Sequence, residues 1–149
     1  MGDRTYHQGR IVAQSIETAV LIGDHLSQEW LPSELSVQGR IVQYACEDAY
    51  LGSTDQIIEQ AYTIARDRGE VIAYHAWEDP RYEFPGALTM SDGSDSWYGD
   101  CTSNGDAYLI YQGYVTAKAD GATDAVIFGE NVRTSFESIL TAAEMEVTV

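Results

Sequence analysis

The chain has 149 residues, with 24 acidic side chains against 8 basic ones, a net charge of −16, and Lys118 as its single lysine. Such a surface repels phosphate and anionic headgroups, so neither direct nucleic-acid binding nor membrane-surface binding is expected. An apolar fraction of 44% with ten tyrosines describes a folded domain rather than a disordered segment.

The opening MGDRTYHQGR contains no apolar h-region, so no signal peptide is expected. The run Val20-Leu21-Ile22 is far too short to span a bilayer. The expected location is therefore the cytoplasm or a virion. Apolar residues at helical spacing, Ile11, Ile16, Ala19 and Val20, predict a first helix. Ile41, Ala45, Ala49 and Tyr50 predict a second. The two stretches share a near-repeat, Gln8-Gly9-Arg10-Ile11-Val12 and Gln38-Gly39-Arg40-Ile41-Val42, read as two similar helices packing together. A third helix is predicted from Ser53 to Arg68. Ser53 and Gln56 form a capping box there, Ile57, Ala61, Ile64 and Ala65 share one face, and Gly69 ends the helix.

Beyond Gly69 the pattern changes. Glu70 to Trp77 alternates and is rich in aromatic residues, which suits a strand; Ala107 to Lys118 reads as a longer one. Asp120-Gly121 signals a turn and Asp124 to Phe128 a returning strand. A last helix is expected from Asn131 to Met145, with Val132, Phe136, Ile139, Leu140 and Ala143 buried and Thr134 and Glu137 as a capping box. The expected fold is a single α+β domain over residues 1–149: a helical N-terminal half of about three helices, a small antiparallel sheet and a C-terminal helix, in the order ααα-βββ-α. Residues 78–106 are expected as one long acidic loop holding seven acids.

No catalytic or cofactor motif emerges. His7, His25 and His75 are scattered, without HxxxH, HExxH or CxxC spacing, so no metal site is expected. Asp92, Asp95, Asp100, Asn104 and Asp106 offer oxygens for a hard cation, but their spacing is not that of an EF-hand, and a solvated acidic loop explains them more simply. No GxSxG, GxxxxGK or GxGxxG occurs, and Asp100 beside Cys101 raises that thiol's pKa rather than lowering it. Cys46 and Cys101 read as two buried free thiols. No cofactor is expected, and the chain is not expected to be an enzyme.

The charge divides unevenly: residues 1–69 carry ten acids and five bases, and residues 70–149 carry fourteen acids and three bases. The near-absence of lysine fits a surface adapted to high salt. The acids concentrated after residue 69 fit a surface that meets a protein partner. Candidate interface residues are Glu83, Asp92, Asp95, Trp97, Tyr98, Asp100 and Asp106, with loop aromatics as anchors. The function expected on these grounds is a non-catalytic assembly subunit of a larger particle, such as a virion component from a high-salt environment, forming homo- or hetero-oligomers. The alternative is a polyanionic decoy whose carboxylates stand in for phosphates before a basic protein. A third is a small hydrolase using His75, Asp79 and Cys101.

Overall fold

The computed structural model describes residues 4–50, 53–80, 86–101 and 119–147. In chain order they form β1 (Arg4–Val12), α1 (Ile16–Glu29), β2 (Glu34–Gln38), β3 (Ile41–Tyr50), α2 (Ser53–Arg66), β4 (Ala73–Pro80), β5 (Gly86–Ser91), β6 (Ser96–Cys101) and α3 (Ala119–Val147). All strand pairs are antiparallel, and the sheet order is β2-β3-β1-β4-β5-β6. The first six elements have the split βαβ connectivity of ferredoxin-like folds. The β5–β6 hairpin widens that sheet by two strands, and α3 covers its second face.

The N-terminal half is therefore not helical, which corrects the expected ααα-βββ-α order. Residues 8–12 lie in β1 and residues 41–50 are β3, and the two strands pair, with Ile11 opposite Val42 and Val12 opposite Ile41. Where α3 crosses these strands both faces are buried, so neighbours are buried together (Ile11 and Val12, Ile41 and Val42), whereas residues 42–47 alternate between buried and more exposed. Those two apolar pairs break the alternation and fit a helical stripe as well, which is how the near-repeat misleads. The repeated pentapeptide serves two different structures. Gly9 is mid-strand, where the Tyr44 ring lies across it; Gly39 takes φ +56° in the β2–β3 turn.

Three further expectations change. Residues 124–128, expected as a strand, and the Asp120-Gly121 turn belong to α3, which starts twelve residues before Asn131. Residues 86–101, expected within an acidic loop, form the β5–β6 hairpin. The strand expected from Glu70 to Trp77 lies at Ala73–Pro80 instead. The strand expected at Ala107–Lys118 lies outside the described residues.

The helix expected after Ser53 forms. It ends at Gly69 (φ +73°), where the Gly69 N–H reaches Arg66 O at 2.9 Å and the Glu70 N–H reaches Ala65 O at 2.9 Å. Those two bonds satisfy carbonyls the helix end would leave open. At the start of α1, the Ser15 hydroxyl accepts the Thr18 N–H at 3.2 Å and donates to the Glu70 carboxylate at 2.9 Å. The same short network thus caps one helix and ties it to the exit of the next.

The sheet separates two cores. On one face Ile11, Val42, Tyr44, Cys46 and Ala76 meet Ala19, Ile22 and Leu26 of α1 and Ile57, Ile58, Ala61 and Ala65 of α2. Each fully buried Ile or Leu there contributes roughly 1.5–3 kcal/mol. On the other face α3 lays Phe136, Leu140 and Ala143 over Val12, Ile41 and Ala73, and Val132 over Leu88, Met90, Trp97 and Cys101. Cys46 and Cys101 are buried on opposite faces, so they do not form a disulfide with each other. Burial pushes the Cys46 thiol up to about 11, which keeps it protonated and unreactive near neutral pH. No helix among the described residues is long and apolar enough to cross a membrane.

Candidate functional site

The residues expected at a partner interface divide on inspection. Trp97 is not an exposed anchor: it is 8% exposed and packs beneath α3, opposite Met90. Tyr98, its neighbour on β6, points to the other face of the sheet and is 64% exposed. It hydrogen-bonds the Asp55 carboxyl, whose pKa is raised by burial and only partly brought back by that bond. Asp92 is a turn residue. Its Oδ1 accepts the N–H groups of Ser94 (2.9 Å) and Asp95 (2.7 Å) while Gly93 takes φ +94°. Asp95 is exposed at the hairpin tip and Asp100 is half-buried on β6. Glu83 and Asp106 lie outside the described residues. Three acids and one tyrosine thus share the hairpin, but one acid is already used by the turn.

Two buried histidines sit on opposite faces of the sheet. His7 on β1 is fully buried, with Nδ1 at 2.6 Å from Thr54 Oγ1 at the start of α2 and 3.9 Å from Glu78 Oε1. His75 on β4 is also fully buried, among Trp77 (ring centroids 4.8 Å apart) and Phe136 (6.0 Å). The Arg10 guanidinium reaches His75 Nδ1 at 3.2 Å. Because Arg only donates, Nδ1 is the acceptor there and does not carry a proton. Arg10 also lies over the Phe136 ring at 5.6 Å and 3.8 Å from Glu137, and burial lowers its pKa. Both histidines are thus built into packing.

The hydrolase constellation does not assemble. His75 is opposite Met90, which is opposite Trp97, and Cys101 is four residues further along β6. Two strand spacings of about 4.8 Å and four rises of about 3.3 Å put His75 and Cys101 about 16 Å apart. Among the described residues, no group of three or more His, Cys, Asp or Glu is arranged to hold a metal ion.

Two surfaces remain open. One is a groove of about 460 Å³ on the α3 side of the sheet, over the part of β1, β2 and β3 that α3 does not reach, lined by Gln8, Arg10, Glu34, Ser36, Gln43 and Trp77 among others. The other is the outer edge of β2, which pairs with no described strand. Val37 of that edge packs on Gly23 of α1, where any side chain would collide with it. Ile16, Val20 and Gly23 share one stripe of α1 at i, i+4 and i+3 spacing. Ile16 is 57% exposed, Val20 44% and Val37 37%, so they form an apolar flank beside an unpaired strand edge. Sequence reasoning missed this surface. Its signal was the Leu35/Val37 alternation ahead of the Gly39-Arg40 turn.

Compared with known proteins, the chain matches no family model, no curated protein and no solved structure.

Proposed function

We propose that this protein is a non-catalytic assembly subunit of a larger particle adapted to high salt, a virion component being the form that suits its size and composition. The observation that carries this reading is the open apolar flank of Ile16, Val20 and Val37 along the free β2 edge. An unpaired edge flanked by apolar side chains is a template for association, and proteins that stay monomeric usually blunt it.

The acids support the same reading over a decoy. Exposed carboxylates occur on α1 (Glu17, Asp24), β2 (Glu34), α2 (Glu59), the hairpin tip (Asp95) and α3 (Glu144, Glu146). A phosphate mimic needs its charges in a stripe before one basic partner. A dispersed shell of carboxylates instead suits a chain that must remain hydrated in concentrated salt.

Sedimentation of the purified full chain from 0.05 M to about 2 M KCl tests the proposal, because screening removes the self-repulsion of a −16 chain. The expected result is a reversible shift from monomer to larger species as KCl rises, with the apolar flank becoming protected from hydrogen exchange. A folded monomer indifferent to salt at every concentration overturns it.

A further inference from the structure

We infer that two copies of this chain join through β2, antiparallel about a two-fold axis at Ser36, to continue the sheet from one copy into the next. The inference rests on the assembly reading above and names its partner and register. β2 runs Glu34-Leu35-Ser36-Val37-Gln38, pairs with β3 without a register shift, and pairs with no other strand among the described residues. It also lacks the devices that normally protect an edge. It contains no Lys, no Pro and no bulge, and its one charge, Glu34, stands at the end.

The strand is complementary to itself. Antiparallel pairing centred on Ser36 places Leu35 opposite the second copy's Val37, Val37 opposite Leu35, and Glu34 opposite Gln38. Every residue of β2 is then paired, the apolar side chains meet on the face that α1 covers, and no carboxylate faces another. Moving the centre two residues either way breaks both Leu–Val pairs, and register is set by such patterns. For two copies that each carry −16, a seam without opposed charges avoids adding local repulsion to that of the whole chains.

The helices fit the same geometry. α1 touches β2 and β3, so its axis lies inside the sheet edge by about half a strand spacing. Across a new β2–β2 pair the two α1 axes then stand roughly 10 Å apart, the distance at which helices pack. Because Gly23 of α1 touches Val37, the part of α1 nearest the axis is around Gly23; the exposed Val20 then meets the C-terminal turns of the second copy's α1, and Ile16 lies further out along the same flank. The acids Glu17 and Asp24 point further outward. The bare groove borders the same seam through Glu34 and Ser36, so the pair would join two grooves into one longer trough.

The test uses the full chain and three single variants, each checked for a native circular-dichroism spectrum. Ser36→Cys, at an exposed position on the axis, should give a disulfide-linked dimer on oxidation at high KCl, since the native thiols are buried. Val20→Glu should weaken dimerisation at least tenfold. Leu21→Glu, on the side of α1 turned away from β2, should leave it unchanged. If the wild type associates but oxidised Ser36→Cys stays monomeric, the β2 seam is wrong while the assembly reading stands. Equal weakening by Val20→Glu and Leu21→Glu also rejects the seam. A wild type that stays monomeric throughout rejects both.

Discussion

The two faces of the sheet are built on different plans. The face under α1 and α2 holds one continuous core, knitted at its rim by the Ser15, Thr18, Arg68 and Glu70 network. The face under α3 holds two smaller clusters, and a single 29-residue helix spans both. Polar anchoring there includes Arg10–Glu137 and Arg40–Glu146, the latter with Arg40 Nε at 3.0 Å. One face is thus a core shared among many elements, and the other depends on how one helix is held. The difference teaches where cooperativity should fail first.

Phe136 gives the largest test of that asymmetry. It is fully buried between Val12, Ala73, His75 and the Arg10 guanidinium. Phe136→Ala should cost about 3–5 kcal/mol, the range for truncating a core aromatic. Ile22→Ala on the other face should cost about 2–5 kcal/mol. The shapes of the transitions should differ more than their midpoints. Urea unfolding of Phe136→Ala, followed by both tryptophan fluorescence and far-ultraviolet circular dichroism, should show α3 releasing before the sheet melts. Ile22→Ala should shift one coincident transition. Coincident probes in both variants would erase the distinction between the faces.

Gly9 sharpens the comparison from the sheet itself. A Cβ at this position would meet Tyr44 Oη at 2.5 Å and Cζ at 2.6 Å. The Tyr44 hydroxyl is buried without a hydrogen-bond partner, and desolvation raises its pKa strongly. Gly9→Ala must therefore push the ring into the α1–α2 core, costing about 1–3 kcal/mol as overpacking does. The α3 side should be unaffected, so unfolding of the combined Gly9→Ala, Phe136→Ala chain should be additive within about 0.5 kcal/mol. A coupling larger than that would mean the sheet transmits strain between its faces.

The elements that were legible in the sequence are those whose signals are local. α2 could be read because its cap, its apolar stripe and Gly69 all agree, and the C-terminal half of α3 because Val132, Phe136, Ile139, Leu140 and Ala143 repeat at helical spacing. β1 and β3 read as helices because the doubly buried pairs Ile11-Val12 and Ile41-Val42 interrupt an otherwise alternating pattern, and only pairing, a long-range property, distinguishes the alternatives. The hairpin was hidden for a different reason. Its strands, Gly86–Ser91 and Ser96–Cys101, are short and carry the polar and glycine content of loops. Trp97 reads as an exposed anchor because nothing in the sequence says that α3 returns to cover it. The β2 edge was missed because an edge exists only once the order of strands is known.

The smallest effect probes the hairpin turn that touches the weaker face. Desolvation alone would raise the pKa of Asp92. The N–H groups of Asp95 and Ser94 outweigh it, with a bond to Ser135 of α3 adding to them, and the folded carboxyl titrates below its ordinary 3.8. Near pH 3–4 the unfolded chain binds more protons here than the folded one. The Asp92 contribution is therefore complete above about pH 4 and is lost as pH falls through the folded value. Asp92→Ala should cost about 1 kcal/mol at pH 7, the worth of a turn hydrogen bond, and that difference from wild type should shrink as the pH is lowered. Asp92→Asn keeps an acceptor oxygen for the two amides, so it should retain most of the stability and lose the acid-dependent part. Thermal melts of the three chains between pH 7 and pH 3 decide it. If the gap between wild type and Asp92→Ala is constant across that range, the carboxylate is not what holds the turn, and the hairpin's grip on α3 must come from Trp97 and Val132 alone.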